Sequence, residues 1–201
     1  IRDRNKTTFD GFFLRFARKD KRVSYAASFG VSMIPENQIG DYTKALLEFK
    51  RISVREDAGA SIIKKLCNRE AQVVLDPTLL LDKCQWECIQ KKVLNIQTDS
   101  PYILTYFLGK MPENARNYIE KAFSIKGKMK IYNLAKQNEK DLYALGPSEF
   151  IYMISHAKLI LTDSFHASVF SFIFEKPFVV FDRQDDTADM MSRIENLLKT
   201  F

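Results

Sequence analysis

Cysteine and histidine are scarce: the chain holds three cysteines and two histidines in 201 residues. Cys67, Cys84 and Cys88 are odd in number and lack the spacing of a disulfide framework, which points to a reducing compartment. Cys84 and Cys88 stand one helical turn apart, but no neighbouring histidine or further cysteine pair completes a zinc set. They are expected to be packing residues, and no metal site is expected. The most apolar stretch is broken by Asp163, His166, Glu175 and Lys176, so it is not a membrane span. No signal peptide and no short-period repeat is recognisable. The single tryptophan, Trp86, gives little support to a sugar-binding surface built from several exposed aromatics.

What is present suits a packed globular chain. Apolar residues make up 46% of the chain and include 16 phenylalanines, ample for a core. The net charge is +6 and the pI about 9.1. The basic residues are scattered, in pieces such as Arg15–Arg22 and Lys126–Lys130, and no nucleic-acid motif accompanies them. A solvated surface or an anionic small substrate fits this balance at least as well as nucleic acid. The chain opens Ile1-Arg2-Asp3-Arg4, without methionine or a recognisable first strand, and is expected to be a fragment of a longer protein.

The stretch from Leu159 to Phe181 organises the reading. Leu159-Ile160-Leu161 suits a buried strand. Phe165, Val169, Phe172 and Ile173 then recur at helical spacing, Pro177 stops the helix, and Phe178–Phe181 reads as a second strand. Between strand and helix lies Thr162-Asp163-Ser164, where Asp163 or Ser164 can cap the helix. Free backbone N–H groups and the helix dipole make such a start an anion site, and ligands of parallel sheets bind at the carboxyl ends of the strands. His166 falls in the first turn, at that edge. A core histidine between Phe165 and Phe170 is the competing reading. A Ser164–His166 dyad is disfavoured, because residues two apart on a helix do not face each other.

The rest of the chain repeats the α/β alternation. Arg22–Gly30 reads as a strand running into a small-residue loop, where Ser28 and Gly30 allow close backbone approach. Tyr42, Ala45, Leu46 and Phe49 mark a helix. Ile52 and Val54 mark a strand with Arg55-Glu56 at its carboxyl end, and Asp57 is the expected cap of the next helix. Arg55 is placed for a phosphate or carboxylate, since its planar fork gives two parallel hydrogen bonds; the alternative is a surface ion pair. Gln72–Leu75 is a strand, Leu79-Leu80-Leu81 is expected to bury, and Trp86 anchors a short helix. Residues 91–100 are the candidate linker. After it come a strand at Tyr102–Leu108, a helix at Pro112–Phe123, a strand at Lys130–Asn133, a helix capped by Ser148, the central unit, and a last helix at Met190–Leu198. Two α/β halves, 1–90 and 101–201, are expected to face each other across a cleft.

Four motifs in order, SYAASFG (24–30), ISVRE (52–56), VVLDPTLLL (73–81) and TDSFHASVFSFIFEKPFVVF (162–181), resemble the polysaccharide pyruvyl transferase family, and RIENLL (193–198) fits too. The similarity spans roughly residues 22–198. Family members usually carry glycine after the histidine; here it is Ala167, still small. The resemblance implies a GT-B-type fold of two Rossmann-like domains, the N-terminal one incomplete in this chain, which could leave the fragment inactive. It implies a cytoplasmic enzyme, with association to the inner membrane face through the acceptor left open. The implied activity moves a pyruvyl group from phosphoenolpyruvate to two hydroxyls of a glycan or lipid-linked sugar, without a further cofactor.

In that chemistry carbon 3 of phosphoenolpyruvate gains a proton, a sugar hydroxyl attacks carbon 2, phosphate leaves, and a second hydroxyl closes a cyclic ketal. It needs cationic groups and an acid/base group that titrates near neutrality. The candidates are His166 as acid/base or donor to the departing phosphate and Arg55 as clamp. Ser164 and Asp163 stand at the phosphate-cradling helix start, Glu56 orients Arg55, and Tyr106 and Ser28 line the site. The runner-up is a nucleotide-sugar glycosyltransferase on the same architecture, and a third reading is a non-catalytic carbohydrate-binding module.

Overall fold

The structure is a computed structural model that describes residues 6–94, 96–126, 129–135, 140–183, 194 and 197. It forms two compact units, Ile1–Pro77 with Asp186–Phe201, and Thr78–Asp185.

The first unit is built on a parallel three-stranded sheet in the order β1 (Val23–Ala27), β2 (Arg51–Val54), β3 (Gln72–Val73). Helix α1 (Lys6–Phe12) precedes it, and α2 (Ile39–Leu47) and α3 (Asp57–Cys67) connect the strands. The apolar period of α2 works as read: Tyr42, Ala45, Leu46 and, just past the helix, Phe49 are all buried. They meet Ile62 and Ile63 of α3, Val54 of β2 and the rings of Phe9, Phe13 and Phe29. Removing such a side chain from water is worth about 1.5–3 kcal/mol. The β1–β2 register slips between Ser24 and Ala27, where Ala26 takes a positive φ of 51°. The Ser53 hydroxyl bridges this bulge: it accepts the Ala26 amide at 3.1 Å and donates to the Ser24 carbonyl at 3.3 Å.

The second unit carries a parallel four-stranded sheet in the order β5 (Lys130–Asn133), β4 (Tyr102–Tyr106), β6 (Leu159–Thr162), β7 (Phe178–Val180). Its helices are α4 (Lys83–Glu87), α5 (Glu113–Lys126), α6 (Lys140–Tyr143), α7 (Pro147–His156) and α8 (Phe165–Ile173). Period-two alternation in β4 feeds two cores. Tyr102 and Leu104 pack with Ile154 of α7 and Phe170 of α8, while Ile103 and Phe107 pack with Ala115 of α5 and Leu161 of β6. A parallel sheet covered on both faces is why these strands read as continuous apolar runs. The order places β5 on one side of β4 and β6 on the other. Successive strands thus step outwards in opposite directions from β4, so the order reverses between β4 and β6, the point at which such sheets take ligands at the carboxyl ends of their strands.

Several local expectations are corrected. Cys84 and Cys88 are exposed rather than packed, because Trp86 is the residue of α4 turned to the core, against Phe170. Leu80 is 59% exposed, since Pro77–Leu80 winds as a tight 3₁₀ turn with no buried residue. Glu56, not Asp57, holds the N-cap position of α3, and its side chain does not cap. Gly146 holds that position in α7, with Pro147 as first helical residue and Ser148 inside the helix. Val93 lies in the core of the second unit. The expected helix at Met190–Leu198 lies outside the described residues apart from Ile194 and Leu197, both buried. No helix among the described residues is long and apolar enough to cross a membrane.

Candidate active site

The carboxyl edge of β4 and β6 is held by a dense set of hydrogen bonds. Thr162, the last residue of β6, donates its hydroxyl to the Tyr106 carbonyl at 2.5 Å and accepts the Ser164 amide at 2.9 Å. Ser164 is the N-cap of α8, its hydroxyl 3.5 Å from the Ala167 amide. Ser168 and Ser171 donate to the carbonyls one turn back, of Ser164 and Ala167, so the polar groups of this apolar helix stay satisfied.

Asp163 does not cap. Its carboxylate reaches to the loop after β4, accepting the Leu108 amide at 2.7 Å and the Gly109 amide at 2.9 Å. Arg183, just beyond β7, donates Nε to the same carboxylate at 3.1 Å and Nη2 to the Asp163 carbonyl at 3.3 Å. The Asp163 side chain is 2% exposed and that of Arg183 12%. A Cβ on Gly109 would stand 3.0 Å from Arg183 Cγ and 3.3 Å from Asp163 Oδ2, which is why glycine is there.

His166 is exposed while Phe165, Ala167 and Ser168 around it are buried. Its ring meets the Phe165 ring edge-on at 5.4 Å. The core-histidine alternative is thereby set aside. Ala167 is fully buried, which explains why only a small residue follows the histidine. The other histidine, His156, ends α7 stacked on Tyr152 at 4.0 Å, away from this edge. Tyr106 is half-buried with its ring against Phe150 at 5.2 Å. Its phenol pKa is pushed up, first by burial and then by the negative charge of Asp163, with Arg183 pulling the other way.

In the first unit the carboxyl ends of all three strands meet in a charged trio. Arg55 pairs with Asp76, beyond β3, and its Nε lies 3.9 Å from Glu56 Oε2. Glu56 Oε1 accepts the Phe29 amide at 3.1 Å, while Oε2 has no hydrogen-bond partner among the described residues. Arg55 thus lies against two carboxylates. Ser28 accepts the Gly30 amide at 3.2 Å and borders a cavity of about 400 Å³ walled by Phe12, Phe13, Leu46 and Phe49.

Within the second unit, then, His166, Ser164, Asp163 and Tyr106 share one sheet edge; within the first, Arg55, Glu56 and Ser28 do. Asp163 is withdrawn from solvent, and Arg55 is engaged by carboxylates rather than presented as an open fork. Sequence reasoning missed Arg183 and Asp76. The signal was available, since each follows a strand's carboxyl end, the same argument that singled out Arg55. Among the described residues, no group of three or more His, Cys, Asp or Glu could hold a metal ion.

A parallel sheet whose strand order reverses beside a solvent-facing histidine is the layout of an α/β enzyme that takes its ligand at the strand ends. The family described as polysaccharide pyruvyl transferase matches residues 3–185, and the chain belongs to that family. It is a transferase, of the pyruvyl-transferring class that serves polysaccharide formation. Searches of curated proteins and of solved structures return no significant match.

Proposed function

We propose that this transferase takes its pyruvyl group from phosphoenolpyruvate and closes a cyclic ketal on two hydroxyls of a glycan or lipid-linked sugar. The observation that carries the reading is His166, turned to solvent in the first turn of α8, at the edge where β4 and β6 end. There the imidazole can protonate carbon 3 of the donor, or donate to the phosphate as it leaves. The start of α8, capped by Ser164, turns the positive end of its helix dipole to the same phosphate. Tyr106 keeps its proton at neutral pH and can donate to substrate oxygen. A GT-B pair of Rossmann-like domains and a cytoplasmic setting belong to the same proposal, as does the absence of any further cofactor.

Glu56 and Asp76 compete with an anion for the Arg55 guanidinium. The donor is therefore assigned to the second unit, and Arg55, Glu56 and Asp76 are given the task of tying the strand ends of the first. Thermal melting with phosphoenolpyruvate, against free phosphate and UDP-sugars, tests the reading, because a ligand that binds only the folded state raises the melting temperature. A rise specific to phosphoenolpyruvate, lost in His166→Ala, is expected. A rise with UDP-sugars alone would overturn the donor assignment.

A further inference from the structure

Asp163 poses an electrostatic problem for an anionic donor. It stands one residue before the α8 cap and three before His166, and at 2% exposure water does little to screen it. Left alone, this carboxylate would repel a phosphate or carboxylate approaching the edge. The fold still needs it, since it is the acceptor for the amides of Leu108 and Gly109, at 2.7 and 2.9 Å.

Arg183 answers both demands. It grips the side chain of Asp163 through Nε and the main chain through Nη2, so its charge is fixed against that one residue. Gly109 gives up a side chain to let it lie there. Stability alone is a weak reason for such a pair, because apolar residues of similar volume often do as well in a buried position.

We infer that Arg183 is a positioning residue of the donor site: by cancelling the charge of Asp163 it lets that carboxylate hold the loop after β4 without repelling an anionic donor. The inference rests on the reading that phosphoenolpyruvate binds at the His166 edge. It names no direct contact between Arg183 and the donor.

The experiment measures phosphoenolpyruvate affinity by titration calorimetry for the parent, R183Q, R183K and the double variant D163N/R183Q, with circular dichroism melts as a folding control. Amide exchange at Leu108 and Gly109 is followed alongside. R183Q should weaken phosphoenolpyruvate about tenfold or more, most strongly at low salt, while the two amides stay protected. The double variant, which removes the uncompensated charge, should recover most of that loss, and R183K should lie between. A role in stability alone would give no recovery. Equal losses in R183Q and the double variant, or parent-like binding in R183Q, would overturn the inference and leave the donor reading standing. If the parent itself does not bind phosphoenolpyruvate, the donor reading fails and takes this inference with it. Should R183Q not fold, the double variant decides: near-parent affinity supports charge compensation and lost affinity refutes it.

Discussion

Glu56 and Asp163 hold equivalent places in the two sheets. Each is a buried carboxylate just past a strand, and each accepts main-chain amides from the loop that follows the neighbouring strand: Phe29 at 3.1 Å for Glu56, Leu108 and Gly109 at 2.7 and 2.9 Å for Asp163. Each also crowds a glycine, with a Cβ on Gly59 falling 3.3 Å from Glu56 Oε1 and one on Gly109 falling 3.3 Å from Asp163 Oδ2. Parallel strands end with unpaired amides, and in both sheets a carboxylate from the next strand takes them up.

This crowding sets the cost of filling the second glycine. Gly109→Ala should destabilise the protein by about 1–3 kcal/mol, the range for overpacking a fitted site. Urea unfolding of the variant should show a lower midpoint at unchanged slope, and an unchanged midpoint would mean that Arg183 moves aside without strain.

His166 is the opposite case, exposed and in a helix that its neighbours hold in place. His166→Ala should leave stability within about 0.5 kcal/mol, as expected of a surface substitution away from the core. Transfer from phosphoenolpyruvate should fall by about 10²–10⁴-fold, the usual contribution of a general acid or base. Near-normal turnover in a folded His166→Ala protein would remove His166 from the mechanism.

The Arg55–Asp76 pair is assigned to holding the first sheet together. Breaking a buried pair from one side typically costs about 3–5 kcal/mol, so Asp76→Ala and Arg55→Ala should both lower the melting temperature clearly. Arg55 is the more exposed of the two, 16% against 3%, and should give the smaller drop. If Arg55→Ala instead melts like the parent yet loses phosphoenolpyruvate affinity, the residue is a clamp after all.

Tyr102 should govern the alkaline limb of stability. Its ring is fully buried, its hydroxyl donates to the Met153 carbonyl at 2.8 Å, and its pKa is pushed up by burial, with Tyr152 and Tyr132 adding to the shift. A pKa raised on folding means that the native state holds the proton more tightly. Its contribution is whole below the unfolded phenol pKa of about 10 and is lost as pH rises through the higher folded value. Melting temperature should therefore fall steeply above about pH 10, and Tyr102→Phe should flatten that fall while costing about 1 kcal/mol at neutral pH for the lost bond. An unchanged alkaline limb in Tyr102→Phe would assign it to other groups.

Much of this architecture was legible in the residues. The run Leu159–Phe181 declared strand, helix and strand because apolar period and breaker residues agree there, and the structure places them at Leu159–Thr162, Phe165–Ile173 and Phe178–Val180. Caps were harder. Asp57 and Ser148 look like caps by type, but capping depends on which residue leaves helical geometry first, and Glu56 and Gly146 do. The partners of Asp163 could not be read at all. A carboxylate after a strand looks the same whether it caps its own helix or crosses to the loop of a neighbour, and only the strand order β5-β4-β6-β7 decides which neighbour is there. The exposed Cys84 and Cys88 misled for a related reason: in a five-residue helix one large side chain, Trp86, sets the buried face.

Because every strand pairing among the described residues is parallel, none of these pairs can form as a local hairpin. The most central pairing is the costliest to find: Ile103 of β4 meets Leu159 of β6 only after α5, β5, α6 and α7 have been gathered between them. Refolding of the second unit should accordingly be slow for its size. Until β6 arrives, the apolar edge of β4 is an open template for other chains, so yield on refolding should depend strongly on protein concentration.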